Sequence, residues 1–248
     1  MEVRRKFITE CKGQPKLQKA LALALYMKHC FGRSAMLKNY SINKIHNVTG
    51  ISATTIKKYL PILVEYGWID FVGKENEHLI VCKLASHTAG RNIKVDKFCF
   101  KSFLDVLRSL RAFIALLIQA HKDFVKRTIQ IATNPKKGQN FKGARKLMKR
   151  LVRQGTIRSI YDKYNEFGIS LKRFAKEMGC CAKTAQSIMN YAVDKKWVKK
   201  THHYERVFSP DYQISGSFFY KKGFSYRVYA NTYELSNPLS KVLSLCGK

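Results

Sequence analysis

A long run of positive charge without any acidic residue lies between Asp123 and Asp162, and it contains eleven lysines and arginines. Part of this run has helical periodicity, with apolar residues on one face at Ala144, Leu147, Met148, Leu151 and Val152. The opposite face carries the cations Lys142, Arg145, Lys146, Lys149, Arg150 and Arg153. Such a row of cations suits the phosphates of a nucleic-acid backbone, so we expect phosphate contact along this helix.

Two other interpretations of this basic helix stay open. Its charges can be merely solvated, or the helix can lie on an anionic membrane. The second is disfavoured because the helix has no Trp and few large apolar residues. The longest apolar stretches, 21–27 and 112–118, are also far shorter than the roughly 20 residues that a bilayer span needs. We therefore expect no membrane partner.

The whole chain shares the positive charge, with 47 Lys and Arg against 16 Asp and Glu in 248 residues, a net charge of +31. Hydrophobic residues nevertheless make up 46% of the sequence, which excludes a disordered basic tail and predicts a folded core. An excess of this size repels itself unless a polyanion neutralises it. Nucleic acid is therefore the first partner to consider.

Catalytic and metal-binding patterns are not found in the sequence. We find no Gly-rich phosphate loop, no paired carboxylates at nuclease spacing and no His/Cys/Asp triad. The seven cysteines include no C-x2-C pair, and the neighbours His202 and His203 have no third ligand at useful spacing. A tyrosine nucleophile is the one enzymatic alternative, with 13 tyrosines present. We expect no enzyme, no metal and no cofactor, and reduced thiols in a cytoplasmic protein.

The elements of the first third follow from local signals. Apolar spacing predicts a helix over 16–31, a short helix over 41–48 ended by Gly50, and a third helix over 53–66. Ser52 caps the third helix and Gly67 closes it, whereas Pro61 inside it predicts a bend or an early break. A hairpin should follow, with strands in 68–72 and 78–84 around a polar turn.

The same pattern recurs later in the chain. A shift of 129 residues aligns 41–69 with 170–198 without a gap, and six of the 29 positions are identical. The identities include the turn glycines Gly50 and Gly179 and the tryptophans Trp68 and Trp197. The second copy should have helices at 156–167, 171–178 and 182–195. A strand over 197–208 and two aromatic β runs in 218–235 should follow.

A helical connector separates the copies. Phe103, Leu107, Leu110, Ile114 and Leu117 form a heptad seam, which is typical of a buried connecting helix or of a dimerising helix. A homodimer through residues 100–118 is therefore an open alternative. The best linker is the polar stretch 133–140.

The order helix, helix, tight turn, helix, hairpin resembles the winged-helix family of helix-turn-helix proteins. The segment 226–235 is similar to the closing strand of winged helices in plasmid and phage replication proteins. The resemblance implies a mainly α fold with small β-hairpin wings (α+β). The domains would be a winged helix in 1–95, a helical basic connector in 96–155, and a second winged helix with an elaborated wing in 156–248.

The resemblance also implies which residues bind DNA, because the third helix of such a unit enters the major groove. In the first copy these positions are Ser52, Thr54, Thr55, Lys57 and Lys58, and Lys44 of the preceding helix is a further candidate. In the second copy they are Lys183, Thr184, Gln186, Ser187 and Asn190, with Cys181 beside them, and Arg173 of the preceding helix is a further candidate. The wings would contact flanking phosphates through Lys74, Lys199, Lys200, His202, Arg206, Lys221 and Lys222.

The second copy is the better candidate for reading sequence, because Gln and Asn pair with adenine and Lys reaches guanine. We expect a double-stranded DNA-binding protein, most simply a phage or plasmid replication initiator or a transcription regulator. Its protein partners would be the replication or transcription machinery. We expect the protein in the cytoplasm, associated with the nucleoid or, if it is phage-encoded, in the host cytoplasm. The alternatives are a non-specific DNA compaction or packaging protein, and a protein-interaction adaptor.

Overall fold

The computed structural model describes residues 2–84, 92–94, 100–154, 171–202, 204–207, 217–221, 224–228 and 232–235. The helices in these residues are α1 (Arg5–Glu10), α2 (Pro15–Cys30), α3 (Ile42–Thr49), α4 (Ala53–Glu65), α5 (Phe103–Thr133), α6 (Phe141–Arg153), α7 (Leu171–Met178) and α8 (Ala182–Asp194). The strands are β1 (Glu2–Arg4), β2 (Met36–Leu37), β3 (Ile69–Val72), β4 (His78–Val81), β5 (Asn92–Lys94), β6 (Val198–Thr201), β7 (Tyr204–Val207), β8 (Ser217–Lys221), β9 (Phe224–Val228) and β10 (Thr232–Leu235). The chain is thus mostly helical with small antiparallel sheets, as an α+β class requires.

The first set of elements runs α2–β2–α3–α4–β3–β4, and its strands form one antiparallel sheet in the order β2-β4-β3. The cap predicted at Ser52 is present, and Ser41 caps α3 in the same way. Ser41 Oγ accepts from the Lys44 N–H at 3.1 Å, and Ser52 Oγ accepts from the Thr55 N–H at 3.3 Å. Gly50 ends α3 with φ +69°, a left-handed conformation that glycine adopts without strain. The two helices and the hairpin of this set are confirmed.

The break predicted at Pro61 is wrong, because α4 continues through this residue to Glu65. Proline removes the N–H that would bond the carbonyl of residue 57. Pro61 and Lys57 are both exposed. That carbonyl therefore lies on the solvent side, where water replaces the lost donor.

The second set repeats the first to the residue. Shifting α3, α4 and β3 by 129 residues gives the observed bounds of α7, α8 and β6. The left-handed turn recurs as well, with Gly179 at φ +61°. The predicted first helix of this copy, 156–167, lies outside the described residues.

The single strand predicted over 197–208 is wrong, because β6 and β7 belong to different sheets. β6 pairs with β10, whereas β7 lies beside β9 in a sheet of order β7-β9-β8. The segment 226–235 is divided in the same way between β9 and β10. The predicted β runs around Lys221 are confirmed as the β8–β9 hairpin. A whole three-stranded sheet is therefore inserted between the paired strands β6 and β10.

The long helix α5 packs against both sets. In the first set α2 contacts α3, α4 and β4, and α5 makes the same kinds of contact with α7, α8 and β10. Helices α2 and α5 also pack against each other, so one continuous core extends from Val3 to Tyr233. The seam residues Leu107, Leu110 and Ile114 are buried in that core. The interpretation of a buried connecting helix accounts for them, and dimerisation through this helix stays a prediction.

Helix α6 turns back along the C-terminal half of α5 after the predicted linker. Met148 and Leu151 of α6 are buried against Val125 and Ala132 of α5, in a small second core. The predicted apolar face of the basic helix is therefore confirmed. Among the described helices none is long and apolar enough to cross a membrane.

The turn between α7 and α8 is held against the segment between α1 and α2. The Gly13 N–H donates to the Glu177 carbonyl at 2.6 Å, and Lys12 Nζ lies 2.9 Å from Glu177 Oε2. Pro15 lies against Gly179, where an added Cβ would be 2.7 Å from Pro15 Cγ. The second turn is therefore packed against the first half of the chain, whereas a Cβ on Gly50 would meet nothing within 4 Å.

This difference between equivalent glycines predicts unequal costs for Gly50→Ala and Gly179→Ala. Each substitution places Ala at positive φ, which costs about 1–2 kcal/mol. Gly179→Ala also overlaps the Pro15 ring, and overpacking adds about 1–3 kcal/mol. Urea unfolding of both variants measures the difference. Equal losses of stability would contradict the close packing at Gly179.

Candidate nucleic-acid interface

The outer face of α8 presents a row of polar side chains to solvent. Ala185, Ile188, Met189 and Ala192 are buried and fix the orientation of the helix. The intervening residues of α8 are exposed, namely Lys183, Gln186, Ser187 and Asn190. These four residues, with Arg108, Tyr191 and Asp194, line an open cleft of about 430 Å³. The structure therefore brings four of the predicted contact residues of the second copy together, whereas Thr184 is half-buried and does not line the cleft.

Arg108 and Tyr191 are additions to this cleft that the sequence analysis missed. The Arg108 guanidinium lies 5.9 Å from the centre of the Tyr191 ring. Nη1 of Arg108 lies 3.7 Å from Asp105 Oδ1. The Tyr191 hydroxyl is hydrogen-bonded to Ser109 Oγ at 3.2 Å. In the sequence, Arg108 and Ser109 are polar residues between the seam residues Leu107 and Leu110. Only the contact between α5 and α8 shows what they do.

The first turns of α4 and α8 are built alike. Ser52 Oγ donates to Thr55 Oγ1 at 2.9 Å, and at the equivalent positions Cys181 Sγ lies 3.1 Å from Thr184 Oγ1. Ser52 and Thr55 therefore serve helix capping in this structure. Hydrogen bonds from the Thr184 side chain, and then from its backbone, lower the pKa of the exposed Cys181 thiol.

Helix α4 offers fewer groups that can read bases than α8. Ile56 and Tyr59 are buried and Leu60 is half-buried, whereas the predicted contact residues Thr54, Lys57 and Lys58 are exposed. Lys44 of α3 donates from Nζ to the Lys38 carbonyl at 2.8 Å. The predicted contact residues exposed on α4 therefore offer one hydroxyl and two ammonium groups.

The predicted wing residues divide between described and undescribed parts of the chain. Lys74 is exposed in the β3–β4 turn, and Lys199 and Lys200 lie on β6 before the exposed His202. Arg206 and Lys221 lie on β7 and β8, whereas Lys222 is outside the described residues. His78 Nδ1 accepts from the Asn39 N–H at 3.2 Å, so this ring ties the hairpin to the loop before α3.

Arg173 is exposed on α7, near a group of positive charges. The pKa of His121 on α5 is lowered, first by partial burial and then by the charges of Lys12, Arg173 and Arg5. Arg5 of α1, Lys12 and Arg173 of α7 are thus close enough to disfavour a positive charge on His121. Arg173 belongs to this junction rather than to the cleft on α8.

All six predicted cations of α6 are exposed: Lys142, Arg145, Lys146, Lys149, Arg150 and Arg153. Four of them, with Gly143 and Leu147, line a groove of about 580 Å³. In the described part of the chain no ion pair involves a cation of α6. Their charge is therefore available to an external anion.

Within the described ranges, no group of three or more His, Cys, Asp or Glu side chains is placed to hold a metal ion. No known protein-family model matches the chain, and no curated protein or solved structure shows significant similarity to it.

The N-terminus of α8 allows a test that needs no ligand. Cys181 is exposed with a lowered pKa, whereas burial raises the pKa of Cys11 well above its ordinary value. Because the thiolate is the reactive form, iodoacetamide at neutral pH should modify Cys181 many times faster than Cys11. Peptide mass spectrometry over a pH series measures both rates. The modification rate of Cys181 should rise with pH and level off at a lower pH than that of Cys11.

Thr184→Val should slow the reaction of Cys181 and move its pH profile upward, because the variant loses the hydroxyl that stabilises the thiolate. Thr55→Val is the matched control at the equivalent position of the first copy. An unchanged profile in Thr184→Val would contradict the role of this hydrogen bond.

Proposed function

We propose that the chain is a double-stranded DNA-binding protein built from two winged-helix units, of which the second reads base sequence. The observation that carries the proposal is the open cleft on α8, where amide and cationic side chains stand on the helix that follows a tight turn. Such a helix fits the major groove of duplex DNA, and its outward side chains then reach base edges.

The strand order supports two winged-helix units. In the first unit, α3 and α4 form the helix-turn-helix, and the β3–β4 hairpin follows α4 as a wing. In the second unit we assign α5, α7 and α8 as the three helices and β6 with β10 as the paired strands. The β7-β9-β8 sheet is then an elaborated wing, and α6 is an insertion between the first and second helices of the unit.

The chemistry of the two reading helices differs. Gln186 and Asn190 on α8 can each make the paired hydrogen bonds that identify adenine, and Lys183 and Arg108 can reach guanine. On α4 the exposed lysines suit phosphates, which carry no sequence information. The second unit would therefore select the site while the first adds affinity.

Sequence-selective duplex binding fits a replication initiator or a transcription regulator of a mobile element. The experiment that tests this function is selection of bound sequences from a random duplex pool. A reader should prefer one duplex by about 10³-fold or more over random DNA at physiological salt. A compaction protein would bind all duplexes alike with a steep salt dependence, and an adaptor would bind them weakly.

The pair Gln186→Ala and Asn190→Ala should relax sequence preference and leave affinity for random duplexes largely unchanged. Each lost bidentate contact removes about 1–3 kcal/mol of discrimination. Asn43→Ala with Asn47→Ala is a matched control, because these exposed amides have the same spacing on α3. Fluorescence anisotropy on selected and scrambled duplexes measures the change. An equal loss on every sequence would contradict base reading by α8.

Arg108 gives a second test of the same cleft. Arg108→Ala should weaken binding to the selected duplex, and Arg108→Lys should restore charge without the planar fork that pairs with guanine. If Arg108 reads a base, both variants relax the preference at one base pair. A phosphate contact would instead be rescued by lysine, which would contradict a reading role for this residue.

A further inference from the structure

Helices α6 and α8 pack on opposite sides of α5. Ser109 and Phe113 of α5 contact the second unit, at Tyr191 and Trp197. Val125 and Ile129 of α5 pack in the core formed with α6. Ser109 and Val125 are sixteen residues apart, and so are Phe113 and Ile129. At 3.6 residues per turn, sixteen residues rotate the direction of a side chain around the helix axis by about 160°.

The two faces are also far apart. Sixteen residues raise the contact point along α5 by about 24 Å. Across α5, three helices packed side by side place the axes of α6 and α8 about 18 Å apart. Together with the rise along α5, this places the contact regions of the two helices about 30 Å apart, and the cations of α6 face away from α5.

The position of α6 on the far side of α5, rather than the distance alone, prevents one straight duplex from contacting both helices. DNA has a persistence length of about 150 base pairs, so a short duplex seated on α8 is a stiff rod that cannot turn around α5. The cations of α6 consequently face solvent that a duplex on α8 does not occupy. The structure separates the strongest run of positive charge in the sequence from the helix that is best equipped to read bases.

The α6 face has the features of a backbone-binding surface. Its thirteen residues include six cations and no acid, and the apolar residues Met148 and Leu151 are turned inward to α5. From Lys142 to Arg153 the row of cations extends about 16 Å, which matches about five phosphates of one strand at 3.4 Å each. The one aromatic residue of α6, Phe141, lies at its first position beneath Arg145, so the face offers no row of rings for unpaired bases.

We infer that the α6 face is a second nucleic-acid site, which binds the phosphate backbone of a duplex segment other than the one that α8 reads. One chain then holds two duplex segments together, one selected by sequence and one held by charge alone. This inference rests on the proposed function of α8 for the first segment.

Native mass spectrometry with 12-base-pair duplexes tests the inference, because it counts chains and duplexes in each complex. The wild-type chain should bind two duplexes as a monomer. The variant Lys146→Gln, Lys149→Gln, Arg150→Gln should bind one duplex, with the second step at least tenfold weaker. Its circular dichroism spectrum should match the wild type, because all three side chains are exposed.

Two further variants complete the design. On 12-base-pair duplexes of the sequence that α8 selects, Lys183→Ala with Gln186→Ala and Asn190→Ala should weaken the other binding step and leave the α6 step intact. The control Lys16→Gln, Lys38→Gln, Lys101→Gln removes equal charge from exposed lysines outside both faces and should still bind two duplexes. In the α6 variant the salt dependence of the second step alone should flatten by about three units of log–log slope.

The outcomes separate failure of the inference from failure of the proposed function. One duplex per wild-type chain, two chains in each two-duplex complex, or an unchanged α6 variant would overturn the inference. A single-stranded 12-mer that displaces the duplex from α6 at one tenth of the duplex concentration would contradict the inference that the α6 face binds duplex rather than single-stranded nucleic acid. A result in which the α8 variant keeps both duplex-binding steps while the α6 variant loses one would support the α6 site and contradict the reading function of α8.

Discussion

The burial of α5 is the interaction on which the rest of the structure depends. One helix of 31 residues supplies its side chains to α2, α7, α8, β10 and α6. Phe113 and Ile114 are almost completely buried, and Phe113 stacks on Trp197 with ring centres 5.3 Å apart. Burying a large apolar side chain contributes about 1.5–3 kcal/mol, so this helix accounts for much of the shared core. Neither set of elements has a core that is complete without it.

The sharing of α5 explains how a chain with a charge of +31 folds at all. Its apolar residues are concentrated in α2 and α5, which pack on each other, and the cations are left on outer surfaces. One polar contact in that interface is specific, since Arg111 Nε donates to Gln18 Oε1 at 2.9 Å. Gln18 is buried and also donates to the Cys11 carbonyl, so it joins α1, α2 and α5. The repulsion among cations is thereby kept at the surface, where water and anions screen it.

Interactions between residues close in the sequence were enough to predict the short helices of both copies. Serine caps and left-handed glycines placed α3 and α4, and the repeat carried those bounds to α7 and α8. The relation between α5 and α8 was not accessible, because it depends on contacts such as Ser109 to Tyr191 across 82 residues. For the same reason Arg108 was missed, and the run 197–208 was assigned to one strand although its halves pair with different partners. The direction in which α6 faces follows only from counting turns along α5.

The contact of Gly13 and Pro15 with the α7–α8 turn bears on how the chain assembles during synthesis. Residues 13–15 leave the ribosome long before residues 177–179, so the first half has time to fold and offer a finished surface. The second turn then closes against that surface through the Gly13–Glu177 hydrogen bond and the Pro15 ring. A nascent chain stopped before α7 would display the cations of α6 without a folded α8. The positive face of α6 is thus complete before the cleft on α8 exists.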